Sequence, residues 1–383
     1  MAHSTLAYTE PEVLRWARES TGYSIEEAAH KIGIRWSQLE MAEQGVDYLT
    51  LREAEKAAAA YGRPLAALFL PKPPDEEPQE AQFRRLPDAP EPPWPPEMQL
   101  LVRRIRERQD AAAELYELVE ETPPWPDVVQ RFRSDDPAEL AALVRDAVSI
   151  SREEQEAWTD TGGSAQHYAA LRGWTDGVEG LGVLVMQDGS LSLDVMRGFA
   201  STHDAVPAVV VNAKDDPRAR AFTILHELGH LLLASYEPPE RLEALCNEFA
   251  GELLMPRDWL REAVLATRGA EPRARVDEIA RRFSVTPLAA AVRVRRVGLL
   301  PGDEVEDVIA EIQARAPVDA RAGGGDYYRT TIAQLGPAYI RLVFSALDSQ
   351  AITYPSASSL LGNVKVNNFD SLRERLDQRG EIA

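Results

Sequence analysis

Cysteine is nearly missing. Cys246 is the only one in 383 residues, which excludes an internal disulfide and any all-thiolate metal site and suits a reducing compartment. Histidine is scarce too, with six in the chain, so any two at a ligand spacing carry weight. Bases are outnumbered, 42 against 62 acids, for a formal charge of −20. A chain that holds nucleic acid mainly by neutralising phosphate is expected to be basic, and this one is not basic overall. No apolar run approaches ~18 residues, so no membrane span is expected. The opening MAHSTLAYTEPEVLRW lacks a basic region followed by an apolar one, so no secretion signal is expected and a cytoplasmic location follows.

What is present is ordinary for a globular chain, 44% hydrophobic and 27% charged, and its length suits two or three domains. Residues 71–96 hold ten prolines and several acids. Proline removes a donor and biases its predecessor away from helix, so this stretch reads as an extended linker. A second soft spot, RAPVDARAGGGD, lies around residues 315–326. The expected layout is a helical domain over 9–70, a linker over 71–96, a larger domain over 97–315 and a helical C-terminal segment over 316–383. The expected fold class is α+β and mostly helical, with a small sheet in the larger domain. No internal repeat is evident.

The N-terminal block carries two capping boxes, Ser24–Glu27 and Thr50–Glu53, in which a hydroxyl and a glutamate satisfy each other's backbone donors. The run SIEEAAHKIGIRWSQLEMAEQG predicts a helix, a turn at Gly33, a second helix to Gln44 and a stop at Gly45. Ala28, Ile32, Ile34 and Leu39 supply its shared core. Over roughly residues 9–70 the segment resembles the XRE-type helix-turn-helix of phage-repressor-like regulators. That resemblance implies that the second helix faces operator DNA, with Arg35 at phosphate and Ser37 and Gln38 near the bases. Glu40 and Met41 stand poorly for that role, and ten acids against seven bases lie between Glu10 and Pro64. Protein contacts or dimerisation are the competing use of this module.

The most specific pattern is His226-Glu227-Leu228-Gly229-His230. Asp216 suits a helix cap and Pro217 the first helical position, and nothing up to Ser235 breaks the helix. Four-residue spacing puts His226 and His230 on one face, one turn apart, where both imidazoles reach one metal ion. Glu227 points beside the ion, placed to take a proton from attacking water and hand it to a leaving amine. Zinc is the expected ion, since imidazoles plus a carboxylate with an open fourth position make the catalytic zinc pattern. The next predicted helix ends at Met255-Pro256 and offers Glu240, Glu243, Glu248 and Glu252 as the third ligand. Glu243 shares a side with Asn247, a ligand followed by an amide able to hydrogen-bond it. Spacing alone leaves these glutamates open.

FTILHELGHLLL followed by E-x-x-CN-x-FA-x-ELLMP is similar to the ImmA/IrrE family of zinc peptidases. The resemblance covers about residues 97–300. It implies a gluzincin-like minimal metallopeptidase domain with His226, His230 and Glu243 as ligands and Glu227 as general base. It extends through LGVLVMQ, VMRGFA and PAVVVN, which read as short strands. In gluzincin-like peptidases an edge strand beside the active helix takes substrate as an added strand, and Val209, Val210, Val211 and Asn212 are the expected strand here. The family resemblance implies a regulatory peptidase that cuts repressor-like proteins. The alternative it implies is a transcriptional regulator and antitoxin of a toxin–antitoxin pair, neutralising an RNase-type toxin by binding. Expected partners are thus a protein substrate or cognate toxin, operator DNA, and a second copy in a homodimer, with no membrane.

Other residues read as structural. Cys246 is expected in the core, and Trp158 and Trp174 as packing under the sheet. Tyr236 and His203 are candidate oxyanion donors, but neither spacing compels that role. Residues 276–300 are the most basic stretch and look like a second helix-turn-helix scaffold. There Arg281, Arg282, Arg293, Arg295 and Arg296 read as a solvated helix face ahead of a nucleic-acid surface.

Overall fold

The computed structural model describes residues 5–75, 94–233, 239–314 and 326–378. His3, Tyr236, most of the proline-rich segment and the glycine-rich stretch before residue 326 lie outside them. The architecture is α+β and mostly helical, as expected. The chain divides into two compact units between Glu107 and Arg108. That division differs from the boundary expected at residue 97. It falls inside one continuous helix, and an unbroken helical sequence gives no local signal of a boundary.

The first unit opens with a short ribbon in which β1 (Leu6–Ala7) pairs antiparallel with β2 (Leu49–Thr50). Around it lie α1 (Pro11–Glu19), α2 (Ile25–Ile32), α3 (Trp36–Glu43) and α4 (Leu51–Tyr61), followed by the first half of α5 (Pro96–Leu118). Both predicted capping boxes form, at the start of α2 and of α4. Gly33 takes a left-handed conformation (φ 82°) that ends α2 and turns the chain into α3. Ala28, Ile32 and Leu39 are buried in the shared core. Glu43, at the end of α3, is only 4% exposed. Two bonds of 2.8 Å from the Arg18 guanidinium hold its carboxylate and tie α3 to α1.

The second unit is built on a three-stranded sheet in the order β3 (Leu184–Asp188), β5 (Ala208–Asn212), β4 (Gly198–Ser201). Strand β5 pairs parallel with β3 and antiparallel with β4. Every residue of β3 and β5 is buried, the pattern of strands covered on both faces. Val183, Val185, Val209 and Val211 enter the main core. That core also holds residues of α9 (Gly163–Gly180), α10 (Pro217–Leu233) and α11 (Pro239–Leu254). Trp158 and Trp174 meet edge to face in it, with centroids 5.9 Å apart.

The C-terminal segment is no separate appendage. Its helices α16 (Tyr327–Leu335) and α17 (Pro337–Asp348) pack against β3. From α5, Arg108 donates to the main-chain carbonyl of Gln334 at 2.7 Å.

Candidate metal centre

Helix α10 starts as its sequence dictates, with Pro217 first and the main-chain N–H of Arg218 donating to Asp216 Oδ1 at 2.9 Å. It is buried over most of its circumference, so both histidines are held by packing: His226 is 8% exposed and His230 1%. Helix α11 crosses it closely. A Cβ added to Gly229 would lie 3.2 Å from Cα, Cβ and Sγ of Cys246, so glycine at 229 is what allows the approach. Cys246 is fully buried at that crossing, a core residue as expected.

The far end of α11 is held by two other helices, one of them the short helix Arg152–Ala157. Arg145, on α7 (Pro137–Ala147), donates to the Leu253 carbonyl, and Gln155 donates to that of Leu254 at 2.8 Å. These contacts satisfy carbonyls that a helix end leaves open. Arg145 stacks over Trp174 and Trp259 at 5.3 and 4.6 Å, and its burial pushes its pKa down to about 10.

The crossing brings three ligand atoms together. Nε2 of His226 and Nε2 of His230 are 3.0 Å apart. The Glu243 carboxylate lies 3.5 Å from the first and 3.2 Å from the second. Tetrahedral coordination at zinc–nitrogen and zinc–oxygen distances near 2.0–2.1 Å puts ligand atoms roughly 3.3 Å apart. The observed triangle fits that geometry. The two histidines and Glu243 are the one such cluster among the described residues, and Glu243 is its exposed member.

The competing glutamates are engaged elsewhere. Glu248 pairs with Arg296 at 2.7 Å, and Glu252 pairs with Arg293 and accepts the main-chain N–H of Arg257 at 2.9 Å. The Glu240 side chain lies outside the described residues. These pairs also revise the reading of the basic stretch. Arg293 is only 5% exposed, so it is no part of a solvated face. Arg281 and Arg282 are held by Glu278 and Glu156, at 2.6 and 2.9 Å. The stretch braces the ligand helix and its neighbours.

Glu227 is 2% exposed and turns toward β4: a Cβ on Gly198 would lie 3.5 Å from its Oε1. Here the expected edge strand needs correction. Val209, Val210, Val211 and Asn212 form the central strand, paired on both sides. An all-apolar run reads alike at an edge or at the centre, and burial on both faces favours the centre. The edge beside α10 is β4. Asn212 N–H donates to Arg197 O at 2.8 Å, so by antiparallel alternation Gly198 and Ala200 turn their N–H and C=O groups outward. No described strand pairs with that side.

Asn247 also departs from expectation. Its amide donates to the main-chain carbonyl of Glu243 at 2.8 Å rather than to the carboxylate. His203 closes the β4–β5 turn, its Nδ1 accepting from the N–H groups of Ala205 and Val206 at 3.2 and 3.1 Å. In the first unit Arg35 is the exposed cap residue of α3 and Ser37 is half-buried. The Gln38 amide donates to Glu53 at 3.3 Å. Trp36 and Met41 are exposed on α3. Nothing in the sequence marked the close approach at Gly229, or the parts played by Gly198 and Arg145.

Comparison with protein families agrees with this geometry. Residues 178–295 match the IrrE N-terminal-like domain, a metallopeptidase-type family, and residues 14–68 match a helix-turn-helix model. The chain joins an XRE-type helix-turn-helix to an ImmA/IrrE-type peptidase domain. The peptidase match spans the sheet, α10 and α11, and so contains every residue of the ligand triangle. No curated protein matches the chain. No described helix is long and apolar enough to cross a membrane.

Proposed function

We propose that the protein is a zinc-dependent regulatory peptidase that makes selective cuts in a repressor-like or other regulatory protein. The observation that carries this reading is the triangle of His226, His230 and Glu243 beside the buried Glu227 carboxylate, next to a strand edge that no described strand pairs. Zinc held by those three side chains would supply Lewis acidity to the scissile carbonyl. Glu227 takes a proton from the attacking water and returns it to the leaving amine. Ala200 is only 2% exposed, so the outward N–H and C=O groups of Gly198, the one residue of β4 that is not buried, start an extended peptide as an added strand. The helix-turn-helix unit recruits the target or its operator.

A second reading, antitoxin-like binding with the peptidase fold as scaffold, draws support from the first unit. Trp36, Met41, Val46 and Tyr8 are exposed there, and the Gln38 amide is engaged with Glu53, a surface better suited to protein than to phosphate. Glu227→Gln separates the readings. Zinc-loaded wild type and variant are incubated with the proteins encoded beside the gene, and the products are read by mass spectrometry. The peptidase reading expects fragments from wild type alone, with zinc content and fold retained in the variant. Equal biological effect of both proteins in cells, without fragments, would overturn it.

A further inference from the structure

We propose that Gly198 is a positioning residue for peptide binding: having no side chain, it lets β4 settle onto Thr223 and Glu227, so that a peptide reaching the unpaired edge at half-buried Gly198 lies beside the Glu227 carboxylate. The inference rests on the peptidase reading and adds to it a specific structural requirement.

A Cβ at position 198 would meet Thr223 Cγ2 at 2.4 Å and the Val210 carbonyl at 3.0 Å, with Glu227 Oε1 at 3.5 Å. The first contact is far inside van der Waals distance and the second is tight. Glycine in a strand weakens it by entropy and lost packing, so its use here answers to space. Relief of the clash is blocked from three sides. Thr223 is fixed by its hydroxyl, which donates to Ala219 O at 3.0 Å. The near end of β4 is pinned by the Asn212–Arg197 hydrogen bond of 2.8 Å. The far end is pinned by the buried Gln109, whose amide nitrogen donates to Ser201 O at 3.0 Å and whose amide oxygen accepts from Ser201 Oγ at 2.8 Å. Between those anchors a new methyl group must push the strand outward at Gly198 itself. That displacement moves the N–H and C=O that face an incoming peptide and opens the space beside Glu227. The metal ligands stand on α10 and α11 and do not depend on β4 for their convergence.

The test uses two probes on the zinc-loaded full chain: acetohydroxamate, which engages only the metal, and a Phe-Leu peptide hydroxamate, which also needs the strand edge. Wild type is expected to bind the peptide probe more tightly, and Gly198→Ala to lose about tenfold or more of that advantage, the worth of one displaced hydrogen-bonded pair. Acetohydroxamate affinity and zinc content stay at wild-type values. Gly198→Ala combined with Thr223→Ser, which removes the clashing methyl but keeps the hydroxyl, regains part of the advantage. It also gives a folded comparison should the single variant unfold. A single variant that keeps the full peptide advantage, or loses both probes equally, overturns the role of Gly198 alone. A wild type with no peptide advantage overturns the edge-binding reading and this inference with it.

Discussion

Replacing Gly229 by alanine tests the helix crossing that brings the three candidate ligands together. The added Cβ would stand 3.2 Å from three atoms of Cys246, where carbon contacts relax at about 3.5–4.0 Å. Helices α10 and α11 must therefore separate by roughly 0.3–0.8 Å. Glu243 precedes Cys246 by three residues on the same helix and moves with it. Its carboxylate lies 3.5 and 3.2 Å from the two imidazole nitrogens, about the spacing one tetrahedral ion needs, so the separation opens the triangle on the carboxylate side. Zinc affinity is expected to fall about 10–100-fold, the range for a disturbed ligand support. Stability should fall by a net of about 0–2 kcal/mol. Overpacking costs about 1–3 kcal/mol, and alanine recovers up to ~1 kcal/mol of helix propensity. The assay is zinc competition against a chromogenic chelator, with chemical denaturation of the metal-free protein alongside. Zinc affinity within twofold of wild type, together with a clear loss of stability, would refute the claim that this crossing sets the ligand geometry.

Two further outcomes follow from the placement of single side chains. Asn247→Ala removes only an exposed hydrogen bond to a main-chain carbonyl, so zinc affinity in the same competition assay should stay within about twofold of wild type; a tenfold loss would show that the amide reaches the carboxylate after all. His167, on α9, has its pKa lowered by burial first and by the nearby Arg218 second, against a weaker pull from Asp216. Its folded-state pKa lies below its unfolded value near 6.5. The neutral ring's contribution is therefore complete above that value and is lost as pH falls through the lower folded pKa. Denaturation midpoints should drop as pH falls below about 6.5, and His167→Gln should flatten that slope; an unchanged slope would remove His167 as its source.

Much of the fold was readable because the controlling interactions are local. The capping hydroxyls of Ser24 and Thr50, the left-handed Gly33 and the Asp216-Pro217 start of α10 each act within one helical turn. A sequence displays such interactions directly. The four-residue spacing of His226 and His230 belongs to the same class. Choosing Glu243 over Glu248 and Glu252 was different, because it depends on which acids α14 (Pro287–Val297) claims with Arg293 and Arg296. Spacing left that choice open, and family resemblance supplied it. Strand order was beyond local reading altogether. Ala208–Asn212 would show the same apolar run at an edge, and only the packing of both neighbours makes it central. Asn247 shows the limit of face arguments. A shared helical face brought its amide to Glu243, but the amide bonds the Glu243 main-chain carbonyl one turn back.

The C-terminal segment, which carries no recognisable chemistry, acquires a role from the same strand order. A three-stranded sheet has two edges, and either can template an added strand. Leu184 N–H donates to Pro207 O at 2.9 Å, so the Val185 carbonyl turns to the outer edge of β3. The backbone at Gly336, between α16 and α17, lies against that carbonyl: a Cβ there would come within 3.0 Å of it. Arg341 adds an ion pair across the same region, 3.6 Å from the buried Glu179 of α9. The β3 edge is thus closed by residues far along the chain, while no described strand pairs with β4 and its end at Gly198, beside Glu227, is only half-buried. Within this sheet, β-strand addition is left the β4 edge, and that edge adjoins Glu227. A sheet built only as a scaffold has no such reason to protect one edge and leave the other, next to a buried carboxylate, unpaired.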